Sequence, residues 1–350
     1  MATNKTFGKL PDGREVLQIS LRNRNGMMAR VITYGAAITE LHVPDTNGEF
    51  ADVVLGYNTL ADYLASTDYL GCVVGRVAGR IPNGHVAYED HEFALVTNDG
   101  RNHLHGGVTG LNRRLWELVE AEDDKLSLRY HSPDGEEGYP GNVDFLVSYQ
   151  LTDRNELVVT TRAVSDKLTP ATLAQHSYFN LGGSGIGNIL DHHVKFFAQE
   201  RGAVADDLTP LGIWEQLVGT PHDLNRGAQL SKHLPHLFLE HGDCYRVRRS
   251  RPGDLVPAAR ISHENSGRIL NVATTEECLQ FYTGKYMTAP QPGKHGEAYK
   301  PFAGLCLECQ GYPAAFGLPG FQSILLHPGS PVRHQTIYAF TVEGCNSCCL

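Results

Sequence analysis

Phe145-Leu-Val-Ser-Tyr-Gln-Leu151 and Leu157-Val-Val-Thr-Thr-Arg-Ala-Val164 stand on either side of the short link Asp153-Arg-Asn-Glu156. Both runs are rich in β-branched and aromatic residues interleaved with polar ones, and the link carries the Asp and Asn of a tight turn. The three pieces together predict an antiparallel hairpin. Working outward, the same signature recurs in Val16-Leu-Gln-Ile-Ser-Leu21, Met28-Ala-Arg-Val-Ile-Thr-Tyr34 and Leu126-Ser-Leu-Arg-Tyr130. A second hairpin is predicted where His263-Glu-Asn-Ser-Gly267 joins Ala259-Arg-Ile261 to Arg268-Ile-Leu-Asn-Val272. Helical patterns are confined to Thr59-Leu-Ala-Asp-Tyr-Leu64 and Gln229-Leu-Ser-Lys-His-Leu234, too short to form a layer of an α/β fold. The expected architecture is all-β, a large antiparallel β-sandwich. No repeat, low-complexity tract or linker interrupts the pattern, so residues 1–344 are expected to form one domain, followed by a cysteine-rich tail at 345–350.

Composition narrows the function. At 350 residues, 41% of them hydrophobic and 20% charged, the chain can bury a substantial core. A net charge of -9 provides no field for a phosphate backbone, and the cluster Arg246, Arg248, Arg249, Arg251 is too isolated to reverse this, so nucleic acid is not an expected partner. The N-terminus has no apolar signal core, and no stretch approaches the roughly 18 to 20 apolar residues that cross a bilayer. A cytoplasmic protein without a membrane partner is expected; nothing in the sequence indicates an oligomeric state.

Eight cysteines are sparse for a chain of this size and read as reduced thiols. Cys306-x-x-Cys309 and Cys345-x-x-Cys348-Cys349 have the spacing of zinc ligands, but the long gap between them and the large core favour ordinary apolar packing, so no metal is expected. There is no Walker A sequence, no G-x-S-x-G elbow and no H-E-x-x-H. Gly182-Gly-Ser-Gly-Ile-Gly187 reads as a loop, and no nucleotide or other cofactor is expected.

The remaining chemistry lies in three segments. Asn102-His-Leu-His-Gly-Gly107 spaces two histidines so that both would face one side of an extended chain, either as hydrogen-bonded structural groups or as catalytic or metal-binding ones. Ala174-Gln-His-Ser-Tyr-Phe-Asn-Leu181 places His176 and Tyr178 on one face, with Gln175 and Ser177 on the other. Gly304-Leu-Cys-Leu-Glu-Cys-Gln-Gly-Tyr-Pro313 reads as a buried strand with a carboxylate inside it. Glu308 must therefore be paired, with Arg76 or Arg80 as candidates, or be held at a raised pKa as a general base.

Together these segments resemble one family, the aldose 1-epimerases. The likeness runs from Gly75-Arg-Val-Ala-Gly-Arg-Ile81 through Leu104-His-Gly-Gly107 and His176-Ser-Tyr-Phe-Asn-Leu181 to Gln280-Phe-Tyr-Thr-Gly284 and Cys306-Leu-Glu-Cys-Gln310. The resemblance implies a β-sandwich that interconverts the anomers of a free aldohexose such as galactose or glucose without a cofactor. It implies Glu308 as general base on the anomeric hydroxyl and His176 as general acid on the ring oxygen, with Arg80, Gly79, His105, Tyr178, Asp243 and Gln280 holding the sugar. A His near pKa 6.5 and a Glu near 4.3 would carry the required charges near neutrality. Three departures bear on substrate preference: Gly79 where the family has Asn, Gln310-Gly-Tyr-Pro313 in place of Q-N-W-P, and Gly242-Asp-Cys-Tyr245 as a loose counterpart of F-D-H-N. A glycoside hydrolase using Glu308 and Asp243 as its carboxylate pair is the competing enzyme reading. A silent sugar-binding protein is the non-enzyme one.

Overall fold

The computed structural model describes residues 3–237 and 242–344. It consists mainly of antiparallel sheets. A nine-stranded sheet is ordered Glu117–Ala121, Lys125–Ser132, Val143–Leu151, Glu156–Ser165, Val332–Val342, Arg268–Thr274, Val256–His263, His193–Phe196, Ala228–Gln229. Both predicted hairpins lie in it: Leu151 pairs with Leu157 and His263 with Arg268. A five-stranded meander covers residues 3–52. The predicted strand at 28–34 ends at Ile32, because Tyr34 turns away to bridge Leu115. The two predicted helices occur as Leu60–Ala65, capped by the Thr59 hydroxyl on the Asp62 N–H, and Leu230–His233.

The third large sheet has six strands, ordered Tyr178–Phe179, Leu305–Gln310, Cys278–Tyr282, Cys244–Val247, Ala198–Val204, Pro210–Gln216. One face of this sheet packs into the core and the other lines a cavity, and the period of two along Leu305–Gln310 separates the two roles. Leu305, Leu307 and Cys309 join the main hydrophobic core with Phe145, Tyr149, Phe179, Phe281 and Tyr338. Glu308 and Gln310 face the cavity, and Cys306 belongs to a second apolar cluster beside it. Cys306 and Cys309 therefore point to opposite faces and cannot share a metal ion. Cys345, Cys348 and Cys349, like the rest of the tail, lie outside the described residues.

Leu307 is fully buried, and its carbonyl accepts a hydrogen bond from the Tyr338 hydroxyl at 3.1 Å. Leu307→Ala should lower the unfolding free energy in urea by about 2 to 5 kcal/mol, through lost apolar contact and the cavity left behind. A loss below about 1 kcal/mol would place Leu307 outside the main core.

Candidate active site

Strand register assembles the cavity face. Glu308 lies opposite Gln280, Gln280 opposite Cys244, and Cys306 between Tyr178 and Tyr282. The strand pairing of Gln175 with Val73 brings the next residue, His176, to the end of this sheet, where its ring lies 5.1 Å from that of Tyr178. Gln175 and Ser177 stay out of the cavity wall, the Ser177 backbone N–H donating to Gln175 Oε1. The cavity holds about 250 Å³, which is small beside drug-sized ligand sites. Its walls include all eight residues singled out from sequence: Glu308, His176, Arg80, Gly79, His105, Tyr178, Asp243 and Gln280.

A second group enters on the segments around residues 80 and 105, which pair through Leu104 and Arg80. Here one expectation fails. His103 and His105 do not face the same side, because His105 adopts a left-handed backbone (φ 51°) that breaks the extended alternation. His103 turns into the interior, donating from Nδ1 to the Val96 carbonyl at 2.6 Å and accepting at Nε2 from the Tyr139 hydroxyl. His105 turns into the cavity, its ring 5.3 Å from that of His176. Its neighbour Gly106 lies so close to the Gly75 carbonyl that a Cβ would sit 1.7 Å from that oxygen, so only glycine fits the turn that aims His105. The Gly79 N–H donates to His105 Nδ1 at 3.1 Å, which leaves the proton of a neutral imidazole on Nε2.

Neither arginine proposed as a partner for Glu308 forms a salt bridge with it. Arg76 is buried and structural, bonded to the Ser132 hydroxyl and to the carbonyls of Ser132, Pro133 and Pro140. Arg80 pairs with Asp99 at 2.7 Å. The nearest partner of Glu308 is His176, with Nε2 3.6 Å from Oε1, and Oε2 has no hydrogen-bond partner among the described residues. Burial pushes the Glu308 carboxyl up to about 8, against a lowering by the Arg80 charge, and burial pushes His176 down to about 4. The order expected from ordinary values is thus inverted. Over the intervening range the pair carries one proton, and burial favours its place on Glu308.

A family profile for aldose 1-epimerases matches residues 17–339. Galactose mutarotase of Sus scrofa is 39% identical over 343 residues, 97% of this chain and 98% of that protein. Aldose 1-epimerase of Escherichia coli is 29% identical over 97% of this chain and 99% of its own. The chain belongs to the aldose 1-epimerase family. Among solved structures, an aldose epimerase homologue from C. elegans superposes with a TM-score of 0.86 at 29% identity, covering 93% of this chain and 98% of that one. Galactose 1-epimerase from Lactobacillus acidophilus gives 0.82 at 25% identity, covering 98% and 99%.

Three features of this member qualify the residue set implied by the family likeness. Asp243 is already engaged on both oxygens, by Arg201 Nη1 and by His222 Nδ1, each at 2.7 Å. Burial alone would raise its pKa, but these donors outweigh burial and hold it low, so it stays ionised. Gly79 is not merely a family Asn with its side chain removed. It has φ 87°, and a Cβ there would lie 2.4 Å from Pro313 Cγ, so Pro313 fills the space. Tyr312 fits against Gly202, where a Cβ would meet its ring at 2.6 Å, and its hydroxyl accepts from the Gly212 N–H. Sequence reading also missed wall residues. Asp68 and Tyr69 carry no strand signal, and Gln310, whose Oε1 is buried without a hydrogen-bond partner among the described residues, was legible only as the next alternate position after Glu308.

His105, His176 and Glu308 present ligand atoms within 4.8 Å of one another, a grouping that could suit a metal ion. The hydrogen bond at His105 opposes that use, since with Nδ1 accepting from the Gly79 N–H its other nitrogen carries the proton of the neutral ring and offers no lone pair.

A raised carboxyl pKa means that ionisation is disfavoured in the fold, so stability is lost as pH climbs from the ordinary glutamate value of 4.5 through about 8. Glu308→Gln removes that loss. Its Tm should match the parent near pH 5 and exceed it progressively toward pH 8.5; a gap that stays constant with pH would show that Glu308 ionises freely.

Proposed function

We infer that this protein is an aldose 1-epimerase that interconverts the α and β anomers of a free aldohexose such as galactose or glucose, with Glu308 and His176 moving the protons. The observation carrying the residue roles is the pair of buried oxygens without a hydrogen-bond partner among the described residues, Glu308 Oε2 and Gln310 Oε1, on the cavity wall beside His176. Buried acceptors without donors cost about 1 to 3 kcal/mol each, and sugar hydroxyls supply the missing donors.

In the reactive form the shared proton sits on His176. Glu308 takes the proton from the anomeric hydroxyl as the bond between C1 and the ring oxygen breaks, and His176 Nε2 delivers its proton to that oxygen. The product is the open-chain aldehyde with a neutral imidazole and a protonated carboxyl. Rotation about C1–C2 presents the other carbonyl face. The ring hydroxyl then adds to C1 while Glu308 returns a proton to the carbonyl oxygen and His176 takes one back. The enzyme ends as it began, so no cofactor enters the balance. Arg80, His105, Tyr178, Gln280 and the ionised Asp243 supply donors and acceptors around the polyol.

The glycosidase reading is weaker on this geometry, because both oxygens of Asp243 are taken by Arg201 and His222, which weakens it as the nucleophile or base that would have to accompany Glu308. Site residues drawn from positions 68 to 313 support reading 1–344 as one functional unit. No helix among the described residues is long and apolar enough to cross a membrane, and five buried free cysteines suit a reducing compartment, which supports a cytoplasmic location.

Polarimetry on freshly dissolved α-D-galactose and α-D-glucose tests the activity. Mutarotation should be accelerated and should survive chelator and dialysis; rates equal to the spontaneous ones across a panel of aldoses would refute the assignment. Glu308→Gln and His176→Asn should each lower kcat by about 10² to 10⁴ with little change in KM, and the double variant should be far better than the product of the two losses. Parent kcat/KM should follow a bell whose limbs belong to the pair as a unit, activity falling as pH drops toward about 4 and as it rises past about 8. A profile that keeps rising above pH 9 would exclude the shared proton.

A further inference from the structure

The described cavity wall includes three buried carboxyls, Asp68, Asp243 and Glu308. Burial raises all three, yet Asp68 and Glu308 stay above the ordinary carboxyl value while Asp243 is held below it. The donors make the difference. Glu308 Oε2 has no hydrogen-bond partner among the described residues, whereas Asp243 accepts from Arg201 Nη1 at Oδ1 and from His222 Nδ1 at Oδ2, each at 2.7 Å.

Both donors are themselves anchored. Arg201, on the strand Ala198–Val204, gives its other terminal nitrogen to Glu215 of the edge strand at 2.6 Å, so one planar fork spans two carboxylates. His222 stands in a turn. Its backbone N–H donates to the Thr220 hydroxyl, and its carbonyl accepts at 3.2 Å from the buried Tyr245 hydroxyl, which also lies 3.5 Å from Asp243 Oδ2. The Asp243 backbone is pinned as well: its carbonyl accepts from the Phe281 N–H, and a Cβ on the preceding Gly242 would collide with the Phe281 carbonyl.

We propose that Arg201 and His222 are positioning residues that clamp Asp243 in one orientation, making it a fixed acceptor for sugar hydroxyls rather than a second base beside Glu308. This rests on the reading of the cavity as the sugar site. A carboxylate has about four lone-pair sites, so one protein donor per oxygen leaves each oxygen room for a hydroxyl. A carboxylate already bonded to a guanidinium and an imidazole is a poor base, and the clamp therefore divides binding from proton transfer between two side chains of the same chemistry. An acceptor oriented in advance loses little freedom when the sugar arrives, so the clamp acts on affinity.

The test separates KM from kcat for anomer exchange by the full chain. His222→Ala should raise KM by about five- to tenfold and leave kcat within about twofold of the parent. His222→Asn, whose amide nitrogen replaces Nδ1 as donor, should bring KM back to within about twofold. With one donor gone Asp243 takes up a proton more readily, so the KM penalty of His222→Ala should deepen as the pH falls from about 8 to about 5. Arg201→Met should raise KM by about ten- to fiftyfold, and in an Asp243→Ala background should raise it no further, because nothing is left to clamp. His222 lies outside the sheets, so its two variants decide the matter even where Arg201→Met does not fold. An unchanged KM in His222→Ala, a loss in kcat alone, a His222→Asn no better than His222→Ala, or an Arg201→Met effect that adds in full to that of Asp243→Ala would overturn the proposal. A parent that fails to accelerate anomer exchange sinks the mutarotase reading instead, and the same comparisons are then made on galactose binding by calorimetry, where absence of binding would end both.

Discussion

A carboxyl group buried in the middle of a sheet, with one oxygen lacking a hydrogen-bond partner among the described residues, is the constraint around which the rest of this protein is arranged. Leu305–Gln310 is buried at every position, and a side chain there that cannot reach water must find a partner or lose its charge. Glu308 meets His176 at one oxygen and leaves the other open to a cavity. Burial then acts on both groups in opposite senses, raising the acid and lowering the base, so that the single proton of the resting pair sits on Glu308. In the mechanism proposed above, a sugar hydroxyl donating to the open oxygen favours the ionised carboxylate, and so moves the pair toward the form in which Glu308 is the base and His176 the acid.

The sheets supply the precision this pairing needs. One strand carries the core on its odd positions and the site on its even ones, so a change in register would exchange Leu307 for Glu308 and lose fold and function together. Irregular backbone supplies the remainder. His105 and Tyr69 both occupy left-handed conformations unusual for such residues, and their rings touch at 4.9 Å beside His176. The groups around the cavity thus come from a rigid sheet on one side and from two constrained turns on the other.

Much of this was legible in the sequence. Alternation located the strands and both hairpins, and the position of a carboxylate within an apolar run marked Glu308. Tertiary context hid the rest. The split between His103 and His105 depends on one left-handed φ angle that a His-x-His spacing does not encode. The inverted pKa order depends on burial of both groups in a common wall. Gly79 read as a missing side chain, whereas the structure shows Pro313 in its place, information that comes only from a residue more than two hundred positions away. Asp68 and Tyr69 lie in a segment without periodic pattern, and Asp243 has its two donors on distant strands and loops.

The most direct test of the account is the protonation state of Glu308 itself in the resting protein. Infrared difference spectroscopy between the parent and Glu308→Gln isolates the carbonyl stretch of a protonated carboxylic acid. The account predicts that band at pH 6 and its replacement by carboxylate bands as the pH passes about 8. An ionised carboxylate throughout pH 5 to 9 would contradict it, because Glu308 would then be an ordinary solvated or paired acid and the shared proton would not exist.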